Sequence, residues 1–221
     1  MGMFNLFGKF SNKKWPSISA DEIRKRSRIL VIDDEDFLYF DLFERNGYNI
    51  RKWNDIEDLE KLVNAEYDVI LLDIQGIGKD FSPEQGLGVL KYIKEKDPTQ
   101  IVVAYSAADY SLKYQDFFQI ADDTLDKTSD FFVFKTKVDN LLKRRHSMSF
   151  YIEKVASKFD EIMLDKEKLA KVTQDAILSG KPGKLASFLD KNDIKNKDLV
   201  GWSLQIVNIA TSLLRALLTS S

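Results

Sequence analysis

The sequence predicts an α/β fold: a five-stranded parallel doubly wound sheet followed by an all-helical C-terminal region. Three observations predict it. Short β-branched runs alternate five times with helix-spaced segments between residues 28 and 143, and such alternation implies parallel strands joined by right-handed crossovers. Two of the runs, DVILL at Asp68–Leu72 and QIVVAY at Gln100–Tyr105, are almost continuously apolar, which marks strands covered on both faces. Beyond residue 145 the apolar spacing is helical.

The elements follow in order. Ser19 before Asp21-Glu22 reads as an N-cap with acids in the first turn, opening a short basic helix to about Arg26. Arg28–Ile32 is a β-branched strand, and Phe37–Asn46 has helical spacing up to Gly47. Tyr48–Trp53 is extended, Ile56–Asn64 helical, and Asp68–Leu72 the third strand. Glu84–Lys96 is a helix, Gln100–Tyr105 the fourth strand, and Leu112–Ala121 a helix. Asp123–Leu125 is a short strand and Phe131–Lys143 the closing helix.

Past it, Ile152, Val155, Phe159, Ile162, Leu169 and Ala176 recur at a 3–4 spacing, with Lys166 and Thr173 filling the two gaps. They predict one amphipathic helix of about 30 residues, with continuity into the preceding helix as an option. Gly180-Lys181-Pro182-Gly183 breaks it, and a short helix at about Lys184–Leu189 follows. In a longer helix from about Asp198, Leu199, Trp202, Ile206, Ala210, Leu213 and Leu217 form one face, widened by Val200, Val207, Leu214 and Leu218. A helix apolar over so much of its circumference is expected to be buried on more than one side. A homodimer through these helices is the favoured expectation, with a cap folded on the same chain's sheet as the alternative. The expected division is a basic, aromatic arm with a short helix at 1–27, the sheet domain at 28–144 and the helical region at 145–221.

Composition narrows the chemistry. The 221 residues are 44% hydrophobic and 31% charged, ordinary for a globular chain. There is no cysteine, which removes disulfides, thiolate metal sites and cysteine nucleophiles. The single histidine, His146, lies in the basic run Lys143-Arg144-Arg145-His146, a poor setting for a triad or a histidine-built metal site. Catalytic groups must then be carboxylates, hydroxyls and lysines, which points towards Mg²⁺ and phosphate.

Charge is uneven. Residues 1–27 carry six Lys/Arg against two Asp/Glu, residues 28–145 carry 16 against 24, and residues 146–221 carry 11 against 9. An acidic middle and a C-terminal region with Arg215 as its one arginine give no strong nucleic-acid signal. No stretch of about 20 apolar residues exists to span a bilayer. Leu6 stands where N-myristoylation needs Ser or Thr, and no signal peptide is read, so a cytoplasmic location is expected. Phe4, Phe7 and Phe10 beside Lys9, Lys13 and Lys14 describe either an arm packing its aromatics on protein or, less favoured, a peripheral membrane contact.

In parallel sheets the site lies at the carboxyl ends of the strands. Here strand 1 ends in Asp33-Asp34, strand 3 in Asp73, strand 4 in Ser106 and strand 5 in Lys127. Three clustered carboxylates need a cation, and oxygen ligands suit Mg²⁺. Asp33 and Asp34 are natural metal ligands. Asp73 can ligate the same ion and still offer an oxygen as nucleophile towards phosphorus. Lys127 and Ser106 supply a cation and a hydroxyl for the other phosphoryl oxygens.

These residues resemble the receiver domains of response regulators in two-component signalling. The matching stretches are RILVIDDE at Arg28–Glu35, DVILLD at Asp68–Asp73, Gly86-Leu87, VVAYSA at Val102–Ala107 and ADDTLDK at Ala121–Lys127. The resemblance covers about residues 28–144. It implies a flavodoxin-like sheet, Asp73 as phosphoacceptor, Asp33 and Asp34 as the acidic Mg²⁺ pair, and the Gln75 backbone carbonyl as a further metal ligand. It also implies Ser106 as the phosphate-sensing hydroxyl with Ala107 leaving room beside it, and Lys127 as the phosphate-binding lysine. The implied partner is a histidine kinase or phosphotransfer protein, and the chain is expected to accept a phosphoryl group without being a turnover enzyme.

Three features depart from the family. Thr128 stands where a proline usually follows the lysine, Thr124 where an aromatic is common, and the loop IQGIGKDFSPEQ at residues 74–85 is longer than usual, with Lys79 near the acceptor. No winged-helix or helix-turn-helix output is read in the C-terminal region. Three alternatives stay open: a phosphorylation-independent docking platform, a DNA-binding regulator, and a haloacid-dehalogenase-like phosphatase. The last would use Asp34, Asp36, Ser106, Lys127 and the pair Asp122-Asp123.

Overall fold

A computed structural model of the chain describes residues 15–106 and 115–219. Two compact units emerge, one of residues 19–145 and the other of residues 146–219 with 15–18.

The first unit opens with α1 (Ala20–Arg26), started by a capping box in which Ser19 Oγ accepts from Glu22 N at 3.2 Å and Glu22 reaches back to Ser19 N at 3.2 Å. Then follow β1 (Arg28–Ile32), α2 (Phe40–Arg45), β2 (Asn49–Trp53), α3 (Leu59–Val63) and β3 (Val69–Asp73). The unit is completed by α4 (Gly86–Lys96), β4 (Ile101–Ser106), α5 (Gln115–Ile120), β5 (Asp123–Asp126) and α6 (Phe131–Arg145). The strands form one parallel sheet in the order β2-β1-β3-β4-β5.

Burial follows from the apolar runs. Every residue of β3 and β4 is buried, as expected of central strands covered on both sides. Leu30, Ile32, Ile70, Leu72, Val102 and Ala104 share one face with Leu62, Leu90, Ile93 and Phe117, because alternate side chains of a strand point the same way. The register levels the strand ends: Ile32 pairs with Leu72 and Trp53, Asp73 with Tyr105, and Ser106 with Asp126. That alignment brings the polar residues ending β1, β3, β4 and β5 to one edge.

Two helices of this unit, α2 and α3, are shorter than the periodicity suggests. The Phe37–Asn46 segment is helical only over Phe40–Arg45, because Phe37 turns into a buried aromatic cluster with Phe43, Tyr105 and Phe134. The Ile56–Asn64 segment starts late, at Leu59, where the Asp58 side chain accepts from Glu60 N and Lys61 N. The first residues of the expected Leu112–Ala121 helix, like Ala107 and the aromatic arm at Phe4–Phe10, lie outside the described residues.

The second unit holds four helices: α7 (Met148–Ser157), α8 (Lys166–Ser179), α9 (Gly183–Lys191) and α10 (Lys197–Thr219). The single helix of about 30 residues expected from the 3–4 spacing is therefore two, α7 and α8. Asp165 caps α8 by accepting from Lys168 N, so the gap in the apolar pattern at Lys166 is a helix start. Nor does α6 run on: Ser147 caps α7 by accepting from Phe150 N at 3.4 Å. On α10 the buried positions are Ser203, Ile206, Val207, Ala210, Thr211, Leu214 and Leu217, while Leu218 is 58% exposed and Leu199, Trp202 and Leu213 are half-buried. Trp15 joins this unit, donating from Nε1 to the His146 carbonyl at 2.8 Å.

Candidate functional site

The carboxyl edge of the sheet holds a buried charge cluster. Asp33 directly follows β1 and is fully buried; its amide donates to the Trp53 carbonyl at 3.1 Å and its Oδ1 accepts from Glu35 N at 2.9 Å. Asp73 closes β3 and is 5% exposed. Its Oδ1 accepts from the amides of Ile74 at 2.7 Å and Gln75 at 3.4 Å, leaving Oδ2 to face Lys127 Nζ at 2.8 Å. The ammonium of Lys127, just past β5, also donates to Asp33 Oδ1 at 3.0 Å and lies 3.5 Å from Glu35 Oε2. Asp33 Oδ2 is 2.9 Å from the same ammonium but is sealed from solvent and accepts no well-aligned hydrogen bond.

Burial and charge compete at these groups. Burial pushes the Asp73 carboxyl above the usual aspartate range; the Lys127 hydrogen bond and charge oppose that shift without cancelling it, and the charge of Asp33 adds to it. For Lys127 burial favours the neutral amine, but the hydrogen bonds and charges of Asp73 and Asp33 more than reverse this and hold it above the ordinary lysine range. Burial, with the charge of Asp33, likewise raises the Tyr105 hydroxyl.

Above this cluster opens a cleft of about 360 Å³ lined by Asp34, Glu35, Asp73, Gln75, Gly76, Lys79, Ser106 and Lys127. One carboxylate oxygen from each of Asp33, Asp34 and Asp73 lies within 4.8 Å of the others. Oxygen-only donors converging in this way suit a small hard dication such as Mg²⁺, and the unsatisfied Asp33 Oδ2 is an atom such an ion would satisfy. Ser106 ends β4, is 7% exposed, and its carbonyl accepts from Lys127 N at 3.2 Å.

The sequence-predicted residues Asp33, Asp34, Asp73, Gln75, Ser106 and Lys127 are thus brought together. Asp122 and Asp123, needed by the phosphatase alternative, are not among them. Asp122 accepts from Val102 N at 2.9 Å and pairs with Lys94, while Asp123 pairs with Lys137 at 2.8 Å.

Three further contributors take their roles from the fold. Glu35 lines the cleft and reaches Lys127; its position beside Asp33-Asp34 was the available signal. Tyr105 lies against Lys127, whose Nζ is 5.1 Å from the ring centroid, close enough for a cation–π contact. Gly76 presses on Asp34: a β-carbon there would stand 2.4 Å from Asp34 Oδ2, and its φ is +83°. Where the family has proline, Thr128 sits in a turn whose amide and hydroxyl both donate to Asp126 Oδ1 at 2.7 Å, and no cis peptide occurs among the described residues. Thr124 pairs in register with Ala104, and its carbonyl accepts from Lys137.

The chain is 30% identical over 183 residues to the transcriptional regulatory protein ResD of Bacillus subtilis (strain 168), an alignment covering 78% of this chain and 74% of that one. No family model matches it. Similar solved structures include a two-component response regulator from Clostridium difficile, at 24% identity over 55% of this chain and 100% of that one with a TM-score of 0.46. A CheY-like receiver domain protein from Methanospirillum hungatei JF-1 matches at 19% identity over 54% and 95% of the two chains, with a TM-score of 0.45.

Proposed function

The chain belongs to the response-regulator family of two-component signalling, and on that premise we propose that it is phosphorylated on Asp73 in a Mg²⁺-dependent phosphorelay. In this reading residues 28–144 are the receiver, and residues 145–221 carry the output by dimerisation or partner binding rather than by binding DNA. The observation that carries the reading is the division of labour on Asp73: backbone amides tie Oδ1 while Oδ2 faces the cleft and Lys127.

A carboxylate held in one orientation is a positioned nucleophile. An Asp73 oxygen attacks phosphorus as the bond from phosphorus to the donor breaks, and its electron pair leaves on the donor, the imidazole of a phosphohistidine or the carboxylate of an acyl phosphate. Mg²⁺ held by Asp33, Asp34, Asp73 and the Gln75 carbonyl would neutralise the phosphoryl oxygens. Lys127 passes from Asp73 Oδ2 to a phosphoryl oxygen, and the Ser106 hydroxyl donates to another. Phosphorylation adds roughly −1.5 to −2 of charge, enough to repartition the Lys127 contacts with Asp33 and Glu35.

The partner in this account is a histidine kinase or phosphotransfer protein, and the location cytoplasmic. Among the described residues no helix is long and apolar enough to cross a membrane. The half-buried Leu199, Trp202 and Leu213 and the exposed Leu218 of α10 support pairing with a second copy. Transfer from a phosphorylated kinase domain, lost on chelation of Mg²⁺ and read alongside light scattering, tests both parts. Transfer that persists without divalent metal contradicts the metal assignment, and an unchanged mass in solution contradicts assembly as output.

A second reading, transcriptional output, is favoured by the similarity to a transcriptional regulatory protein of Bacillus subtilis and by an alignment longer than residues 28–144 alone. Against it stand four helices with no strand among described residues 146–219 and a single arginine there. Steeply salt-dependent duplex binding would favour this reading over the first.

A further inference from the structure

The loop between β3 and α4 brings a second lysine to the cleft. Residues 74–85 fold into a pinned loop rather than a loose surface excursion. Ile74 and Ile77 are buried beneath it, and Ile77 is wholly inaccessible. Gly76 N donates to Gln85 Oε1 at 3.1 Å and Gly78 N to Asp55 Oδ1 at 2.6 Å, while the Gly78 carbonyl accepts from Phe81 N and Ser82 N at 3.0 Å each. Gly76 and Gly78 take the left-handed conformation at φ +83° and +71°, which a β-carbon would strain. Gly78 is also hemmed in, since a β-carbon there would lie 2.6 Å from Val89 Cγ2. The next residue is Lys79, which this turn delivers to the wall of the cleft that holds Asp73, Ser106 and Lys127.

The two cleft lysines differ in their engagement. Lys127 is occupied by Asp33, Glu35 and Asp73. Lys79 is exposed and, among the described residues, makes no hydrogen bond or ion pair. A lysine that lines a phosphoryl site and has no anionic partner among the described residues can offer its ammonium to an incoming anion.

We propose that Lys79 is the second lysine cation of this site, a residue that binds the anionic phosphoryl group as it enters and while it sits on Asp73. The assignment rests on the phosphoacceptor reading of Asp73 and adds to it a named contact from the long loop. Because Lys79 is solvated, its contribution is moderate and screened by salt.

The test compares wild type with Lys79→Ala and Lys79→Arg in two assays. One is the acetyl phosphate concentration for half-maximal phosphorylation with saturating Mg²⁺; the other is the affinity for beryllofluoride, a phosphoryl mimic that involves no bond transfer. Lys79→Ala is expected to weaken both by about five- to tenfold at low salt, with the difference shrinking at 0.5 M salt and Mg²⁺ affinity unchanged. Lys79→Arg is expected to retain most of both, since the charge persists. Lys79 is exposed, so the variants are expected to fold as wild type does. Wild-type phosphorylation and beryllofluoride binding that Lys79→Ala leaves unaltered would overturn the Lys79 assignment alone. A wild-type chain that takes neither ligand would overturn the phosphoacceptor reading, and this assignment with it.

Discussion

Gly76 and Asp34 are packed so closely that a β-carbon on the glycine would stand 2.4 Å from the carboxylate Oδ2. The backbone of the long loop therefore sets where an exposed cleft carboxylate can point. Gly76→Ala must push the Asp34 side chain aside, and it also places a β-carbon at φ +83°. Mg²⁺ affinity by calorimetry is expected to fall about tenfold, with a loss of stability of about 1 kcal/mol from the backbone alone. Unaltered Mg²⁺ affinity would show that Asp34 is not held for metal by this contact.

Lys127 is the counter-ion of two buried carboxylates, with side-chain exposures of 1% for Asp33 and 7% for Asp73. Lys127→Ala leaves those charges facing each other, at an expected cost of about 3 kcal/mol in the absence of metal. Saturating Mg²⁺ is expected to restore part of this, because without the Lys127 ammonium the acidic cluster binds the dication more tightly, and the more tightly bound ligand stabilises the folded state more. Thermal melts with and without Mg²⁺ read the effect. Equal loss in both would separate the lysine from the metal site.

Asp139 ties α6 to α1 and to Tyr48 just before β2, accepting from Tyr48 Oη at 2.5 Å, Arg24 Nε at 3.2 Å and Lys135 Nζ at 2.7 Å. Burial would raise its carboxyl, but the hydrogen bonds from Lys135 and Tyr48 and the charges of Lys135 and Arg24 outweigh that and hold it below the usual range. A depressed folded-state value means stability that is present above the ordinary aspartate value and lost as pH falls through the folded one. Below about pH 4 the wild type is expected to lose stability more steeply than Asp139→Asn in acid denaturation followed by circular dichroism. Parallel acid limbs would remove Asp139 from that account.

Gly180 ends α8 at φ +63°, its amide donating to the Ile177 carbonyl at 3.2 Å and the Lys181 amide to that of Ala176 at 3.1 Å. This paired closure needs a left-handed residue. A β-carbon there would also come within 3.0 Å of the Arg215 guanidinium. Gly180→Ala is expected to cost about 1 kcal/mol in chemical denaturation and to leave phosphorylation of Asp73 unaffected.

What was legible in the sequence was what depends on short-range pattern. The unbroken runs at Asp68–Leu72 and Gln100–Tyr105 named the central strands, and the polar residues that end the strands named most of the cleft. Less legible was whatever three-dimensional packing decides. The gap at Lys166 is compatible with one long helix until Asp165 is seen to cap a new one. Tyr105 reads as one more apolar strand residue, and only the fold sets its ring against Lys127. Gly76 reads as a turn residue, and its closeness to Asp34 exists only once the loop has folded back over β1 and β3. The start of α2 is no more legible, because the buried aromatic Phe37 follows helical spacing without being helical.

The central claim is that Asp73 is the phosphoacceptor. Intact mass after incubation with acetyl phosphate and Mg²⁺, with wild type beside Asp73→Asn, tests it most directly. The account predicts a gain of one phosphoryl group in the wild type, mapped to Asp73 after borohydride trapping and absent from the variant. A gain that persists in Asp73→Asn, or a folded wild type that never gains the group, would contradict it.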